Sequence, residues 1–305
     1  MKFLWVTAIF LLINPYNSSG NISFTHNGHV LSEVEQAEFL LPFPGIKMID
    51  TVKFNKLIND LDQKVYRAPV NAVLDDNGNI IAEKSGYRLD RATFIDRSAA
   101  SFFYGKPSVV RVPVQSLYPK VDSELLSQIR EKRIGQYVTY FNGNNKPRIH
   151  NLTLAAKAIN NYVVMPGETF SFNQVVGKRT AEKGYLRAPV IVKGELAEGI
   201  GGGICQVSST LFNAVDHAGI RIVQRFSHSK RVPYVPSGRD ATVSWYGPDF
   251  RFQNKYNQPI LIRTKVGYGS LAITIYSSET LQYQSKMIPG MTRALPREIK
   301  VRKKL

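Results

Sequence analysis

The chain has 305 residues, long enough to bury a sizeable core and to form two domains. Its 43% hydrophobic and 21% charged residues exclude wholesale disorder, and its single cysteine excludes an internal disulfide and a thiolate zinc site. The net charge of +17 is unusual and attracts polyanions: nucleic acid, an anionic membrane face or anionic wall polymers.

The first twenty residues narrow that choice. Lys2 supplies a short basic start, Phe3 to Ile13 is apolar apart from Thr7, and Ser18 and Gly20 are small residues placed for cleavage after Gly20. The apolar run is too short to cross a bilayer comfortably. Residues 1–20 therefore read as a secretory signal peptide, with an uncleaved membrane anchor as the alternative. No cysteine lies near the cleavage site, so a lipoprotein is not expected. Export argues against nucleic acid as a partner and favours peptidoglycan or anionic wall polymers, with an anionic membrane surface as a further class.

Residues 21–130 read as a small, strand-rich module. Val65–Leu74 is predicted as a strand broken at Pro69, and Asp75-Asp76-Asn77-Gly78 turns it into a hairpin partner at Ile80–Lys84. Asp75 and Asp76 are read as turn residues, not ligands. A short helix runs through Phe94 and Ala99, a strand spans Ser108 to Val114, and Asp122 opens another helix. No catalytic spacing occurs in this part.

From about residue 131 the pattern changes. Tyr137–Phe141 alternates like a strand, Asn142–Pro147 is a polar turn, and Asn151 is expected to cap a helix carrying Leu152, Ala155, Ala156 and Ile159 on one face. Thr169–Asn173 and Ala188–Val192 are predicted strands, and the second leads down to Gly201-Gly202-Gly203. Behind these glycines, Ile204, Val207, Leu211, Val215 and Ala218 recur at helical spacing, and Gly219 supplies a left-handed stop. The expected helix, Cys205 to Ala218, carries the lone cysteine in its first turn. There, unpaired N–H groups and the positive end of the helix dipole favour thiolate over thiol. Gly202 and Gly203 would let a ligand approach closely. The other reading is a tight turn into a packed helix with an inert, buried cysteine.

Five histidines are available as a base for Cys205. His217 lies twelve residues along the same helix, about 18 Å away, and is excluded. His26 and His29 lie beside the cleavage site in a terminus expected to be mobile, and His150 has no particular claim. His228 follows the predicted strand Ile220–Phe226, and Asp240 opens a predicted strand Ala241–Trp245. Cysteine at a helix start, then histidine, then a carboxylate is an order used by several thiol hydrolases and acyltransferases. Gln206 or the backbone N–H groups of Gly203 to Gln206 would stabilise an oxyanion. Ser208 and Ser209 read as helix-packing residues, since neither sits on a strained elbow. The alternatives are a hydrogen-bonded structural histidine at 228 and an Asp240 paired with Arg239 or a nearby lysine. No metal site or cofactor is expected, because no histidines form a close ligand pair.

Several segments together resemble the VanW family, named for an accessory gene of some vancomycin-resistance clusters. They are Met165–Asn173, Lys183-Gly184-Tyr185 with Ala188–Ile191, Gly201–Phe212, Phe226-Ser227-His228-Ser229, Gly238–Val243 and Asp249–Asn254, in order across residues 130–277. The region before it, around Gly86-Tyr87-Arg88-Leu89-Asp90, resembles the peptidoglycan-binding module that often precedes such domains. The resemblance implies a surface protein of a Gram-positive type cell. It does not imply a reaction.

The expected protein is α+β: a small strand-rich module over residues 21–130, then a mixed domain over 131–280 built around the Cys205 helix. Residues 281–305 are a basic, solvated tail that would hold wall polymer or anionic lipid. Two functions are open. One is cysteine-dependent acyl transfer or hydrolysis on cell-wall peptide, with Cys205, His228 and Asp240 as the catalytic residues. The other is a non-catalytic wall-binding or scaffolding protein whose glycine-rich helix start grips a carboxylate.

Overall fold

A computed structural model describes residues 20–290 except 105, 193 and 194. The expected signal segment, apart from Gly20, and residues 291–305 of the tail lie outside the described residues. The fold is α+β, and the described residues divide into two compact units. The first runs to Asn71 and resumes over Glu83–Lys120. The second takes in Ala72–Ala82 and everything from Val121 onward.

In the first unit a three-stranded sheet has Asn21–His26 at its centre, antiparallel to His29–Glu35 and parallel to Ser108–Arg111. His26 and His29 therefore belong to strands. Helix α1 (Thr51–Val65) buries Phe54, Leu57, Ile58, Leu61 and Val65, which recur at helical spacing. Asp50 caps it by accepting the N–H groups of Val52 and Lys53. Helix α2 (Arg91–Phe103) is capped in the same way by Asp90. Phe24, Phe54, Phe94 and Phe102 meet ring to ring at the centre of this core.

The strand expected over Val65–Leu74 is mostly absent. Val65 ends α1, Arg67 and Val70 form isolated bridges, and only Val73–Leu74 pairs with Ile80–Ile81. Pro69, which has no N–H to give to a ladder, lies within the gap. Asp75 closes the hairpin turn by accepting the N–H groups of Asn77 and Asn79.

The second unit is built on a four-stranded antiparallel sheet. Its order is Lys132–Tyr140, Ser270–Ser277, Ile260–Gly267, Tyr162–Val164. Alternation along the third strand sends Ile260 and Ile262 into the main core, while Leu261 meets a smaller cluster. That smaller cluster holds Ala72, Leu74, and Leu126 and Ile129 of helix α3 (Ser123–Ile129), so both segments belong to this unit. The main core is completed by helix α4 (Lys146–Ile159), short helix α5 (Phe172–Val176) and helix α6 (Ile204–His217). Helix α6 packs on the strands Lys132–Tyr140 and Ser270–Ser277, and α4 packs on Ile260–Gly267. A second sheet, with Arg251–Gln253 between Thr169–Ser171 and Arg221–Gln224, adds Phe170 and Phe252 to this core, and Phe250 joins them from just before its central strand.

Two expectations need correction here. Asn145, not Asn151, caps α4, accepting the Arg148 N–H; Pro147 sits at the first helical turn, where its missing N–H costs nothing. The solvated tail expected from residue 281 does not start there. Leu281 is buried, Lys286 donates its backbone N–H to the His217 carbonyl, and Tyr137 donates its hydroxyl to the Pro289 carbonyl.

Candidate functional site

The three glycines bring the chain into α6 at a sharp angle. Gly203 is the N-cap, at φ +108°, and offers no side chain to the first-turn N–H groups. The glycines do not open a ligand cradle. A Cβ on Gly202 would stand 2.6 Å from the Ala188 carbonyl carbon and 2.7 Å from the Pro189 oxygen, and one on Gly203 would press on Arg148 and Leu152. The space belongs to the protein's own chain. Fully buried Asn151 fixes it, donating to the carbonyls of Leu186 and Gly202 and accepting the Leu186 N–H.

Gln206 is likewise engaged and does not supply an oxyanion donor. Its carboxamide donates to Thr139 and the Tyr140 carbonyl, and its oxygen accepts from Arg148 at 2.8 Å. Its backbone N–H goes to the Gly203 carbonyl. Within Gly203–Gln206, the Ile204 N–H is also taken, by Gly201.

One stripe of α6 holds the rest of the site. Cys205, Ser209 and Asn213 are four residues apart and so share a face. The segment 239–243 runs antiparallel along that face. Asn213 donates to the Arg239 carbonyl at 2.8 Å and accepts from Arg239 Nε at 2.7 Å. Ser209 accepts the Ala241 N–H at 2.8 Å, and Ser208 donates to the Ala241 carbonyl at 2.6 Å. Cys205 Sγ lies 3.8 Å from Thr242 Oγ1 and 3.6 Å from the Val243 carbonyl. Helix side chains thus satisfy part of a backbone that would otherwise need a sheet, which is why the strand expected at Ala241–Trp245 does not form. Ser208 and Ser209 pack the helix as expected, but as specific hydrogen-bonding groups.

This clamp places Asp240. Its Oδ2 accepts the His228 backbone N–H and His228 Nδ1, both at 2.6 Å. Arg225 reaches the other carboxylate oxygen at 3.5 Å and anchors the Asp240 carbonyl through Nε at 2.6 Å. With Nδ1 engaged by Asp240, Nε2 is the ring nitrogen left for Cys205, and thiol and imidazole each shift the other's pKa toward the charged form. His228 lies in a loop beyond the strand Arg221–Gln224, not on the strand itself. The structure therefore brings Cys205, His228 and Asp240 together, and Arg239 pairs instead with Asp216.

The electrostatics follow from that geometry. Burial pushes the Cys205 thiol up, but the hydrogen bond and charge of His228, helped by Val243 and Thr242, bring it below the ordinary thiol value. Burial pushes His228 down, and Cys205 and Asp240 together raise it above the ordinary imidazole value. Asp240 is lowered, with His228 outweighing its burial. All three shifts run toward the charged forms, thiolate, imidazolium and carboxylate. Two neighbours were not legible in the sequence. Arg179, held by Asn173 at 2.8 Å and lying over the Phe172 ring, has its pKa lowered by burial, which the Cys205 charge opposes only in part. Buried Tyr234 is held neutral, first by burial and then by the same Cys205 charge.

The remaining histidines stand apart from this arrangement. His217 contacts Gln136 at the far end of α6, and His150 meets the Gly184 carbonyl. Among the described residues, no group of three or more His, Cys, Asp or Glu side chains is placed to hold a metal ion. A cleft of about 250 Å³ opens beside the site, lined by His228 and Asp240 together with Lys230 and Arg231.

The family model described as VanW like protein matches residues 147–276. The chain is also 56% identical over 294 residues to the uncharacterized protein YoaR of Bacillus subtilis (strain 168), covering 96% of this chain and 97% of that one. The chain belongs to the VanW family. Vancomycin B-type resistance protein VanW of Enterococcus faecalis (strain ATCC 700802 / V583) is 37% identical over 112 residues, 35% of this chain and 41% of that protein. No solved structure matches. The VanW match spans Cys205, His228, Asp240, Arg225 and Arg179, as well as α4 and α6 that support them; the first unit lies outside it.

Proposed function

We propose that this VanW-family protein is an exported cell-envelope enzyme that transfers or hydrolyses acyl groups of cell-wall peptide through Cys205. The observation that carries the reading is the run Cys205, His228, Asp240, with the thiol pKa lowered, the imidazole raised and the carboxylate locked on Nδ1. The name of the enterococcal relative, a vancomycin resistance protein, supports an envelope role. The apolar start of the sequence supports export, and intact mass of secreted protein, expected to begin at Asn21, checks it.

In this reading the Cys205 thiolate attacks the carbonyl carbon of a peptide amide, and the electron pair moves to the oxygen. The Cys205 backbone N–H, in the first turn of α6, is the donor this reading assigns to that developing charge. The tetrahedral intermediate collapses to a thioester as the His228 imidazolium gives its proton to the departing amine. Water or a second amine, deprotonated by His228, then attacks the thioester and releases the thiolate. Asp240 holds the ring and compensates its charge throughout and is not itself protonated.

The test is mass spectrometry of the protein incubated with purified peptidoglycan. An acyl adduct on Cys205, removed by hydroxylamine and missing in Cys205→Ala, is expected. If no adduct forms and wall peptides keep their composition, the enzyme reading gives way to a non-catalytic wall-binding protein.

A further inference from the structure

The cleft beside His228 has a character that acyl chemistry alone does not require. Its lining includes Ser229, Lys230, Arg231 and Ser237 as well as His228 and Asp240. Asp240, the carboxylate among them, is already engaged by His228 and Arg225. Lys230 and Arg231 are exposed and make no ion pair among the described residues, so the cleft carries uncompensated positive charge. The loop that bears them is anchored at both ends. The loop bearing them runs from His228, whose side chain is 8% exposed, to Val232 at 3%, and Tyr234 and Val235 beyond are buried as well. Two cations on a pinned loop with serine hydroxyls alongside form a receptor for an anion, and the Arg231 guanidinium suits a planar carboxylate.

The cleft is small, about 250 Å³, a size that suits the last residue or two of a peptide. We propose that this cleft binds a free carboxylate of the substrate, held by Lys230 and Arg231, so that the acyl group attacked by Cys205 lies within one or two residues of a negative charge. The placement relative to Cys205 rests on the acyl-transfer reading above; the carboxylate site itself does not.

Two measurements separate the two claims. The first uses Cys205 as its own reporter, because it is the single thiol of the chain and displaces iodide from either of two reagents of similar size. Iodoacetate carries a carboxylate and iodoacetamide does not. The rate ratio of iodoacetate to iodoacetamide is expected to fall on the order of tenfold in Lys230→Ala/Arg231→Ala, with the iodoacetamide rate kept. The same loss of charge in Lys255→Ala/Lys265→Ala, both exposed and outside the cleft lining, should leave the ratio unchanged. An equal fall in both variants would reduce the effect to net charge and overturn the proposal. Loss of both labelling rates in the cleft variant would mean a damaged site, and Lys230→Gln and Arg231→Gln singly would then have to lower the ratio for the proposal to stand.

The second measurement needs no reactive thiol. In Cys205→Ala, N-acetylalanine should shift the His228 ring resonances saturably, whereas N-acetylalaninamide should not, and the cleft variant should abolish the effect. Inorganic phosphate binding as tightly as N-acetylalanine, or the amide matching the acid, overturns the carboxylate assignment. Saturable binding alongside an unreactive wild-type Cys205 would keep the carboxylate site and discard the enzyme.

Discussion

Replacing His228 by alanine tests the site at its centre. The first turn of a helix favours an anion by about 0.3–1 kcal/mol, less than one pKa unit at 1.36 kcal/mol per unit. Burial acts on Cys205 in the opposite sense and is its largest single influence, so the helix alone cannot bring the thiol below its ordinary value. His228 supplies the difference. Its removal is expected to raise the midpoint of Cys205 ionisation by more than about one unit and to cut labelling near pH 7 by about tenfold or more. Iodoacetamide labelling from about pH 5 to about pH 10, read by intact mass, measures this, with His217→Ala as the control that changes nothing. The same linkage sets the sign for stability. Cys205 and Asp240, both lowered, lose their stabilising contribution as pH falls through their folded-state pKa values. His228, raised, loses its contribution as pH rises through its own. The stability difference between wild type and His228→Ala should therefore be largest between those limits and shrink on both sides. A midpoint that stays put, or a thiol that reacts only after unfolding, refutes the ion-pair argument.

Two further outcomes follow from named contacts and a third from net charge. Ser209→Ala leaves the buried Ala241 N–H without its partner and should cost about 1–3 kcal/mol in urea melts, with slower Cys205 labelling as Asp240 loses its support. Gly202→Ala forces a methyl against the Ala188 carbonyl and should cost about 1–3 kcal/mol or more, seen as a lowered Tm. Binding to purified cell wall should weaken steeply between low and moderate salt, and deleting residues 291–305, six basic residues against Glu298, should weaken it further; retention that ignores salt would point to specific glycan or peptide recognition instead.

What could be read from the sequence was what periodicity and capping encode locally. The α6 register, the Gly219 stop at φ +70°, the Asp75 turn and the Asp122 cap are all set within a few residues. Helix α1 carries the same kind of signal, Phe54, Leu57, Ile58 and Leu61 behind Asp50, directly before the β-rich run from Val65. The strand expected at Ile220–Phe226 forms over Arg221–Gln224, whereas the one at Ala241–Trp245 was over-read for a different reason. Apolar alternation at Ala241–Trp245 says that alternate residues are buried, and Ala241 and Val243 are, but it does not say what satisfies the backbone. Here the side chains of α6 do. Arg225, Arg179 and Tyr234 carry no pattern that marks them, since their roles come from contacts across long sequence separations.

The order Cys205, His228, Asp240 was a weak signal in the sequence because no local rule joins those residues. In the fold, one helix does. Val207, Leu211, Val215 and neighbouring apolar residues fix α6 in the main core, so its rotation is set by hydrophobic packing. The stripe Cys205, Ser209, Asn213 then has no freedom of its own, and each step of four residues grips the segment 239–243 at another point. Asp240 lies between two of those grips, and its carboxylate takes both the backbone and the ring of His228. The histidine is on a loop, yet its orientation derives from the same helix that carries the thiol. Because the loop's anchor and the nucleophile share one rigid element, small movements of α6 carry both, and the separation of thiol and imidazole is protected. A catalytic reading gains from this. A structural histidine needs only a satisfied ring nitrogen, whereas here the polar face of a buried helix also fixes Asp240, which holds Nδ1, and the imidazole shifts the pKa of the one cysteine in the chain.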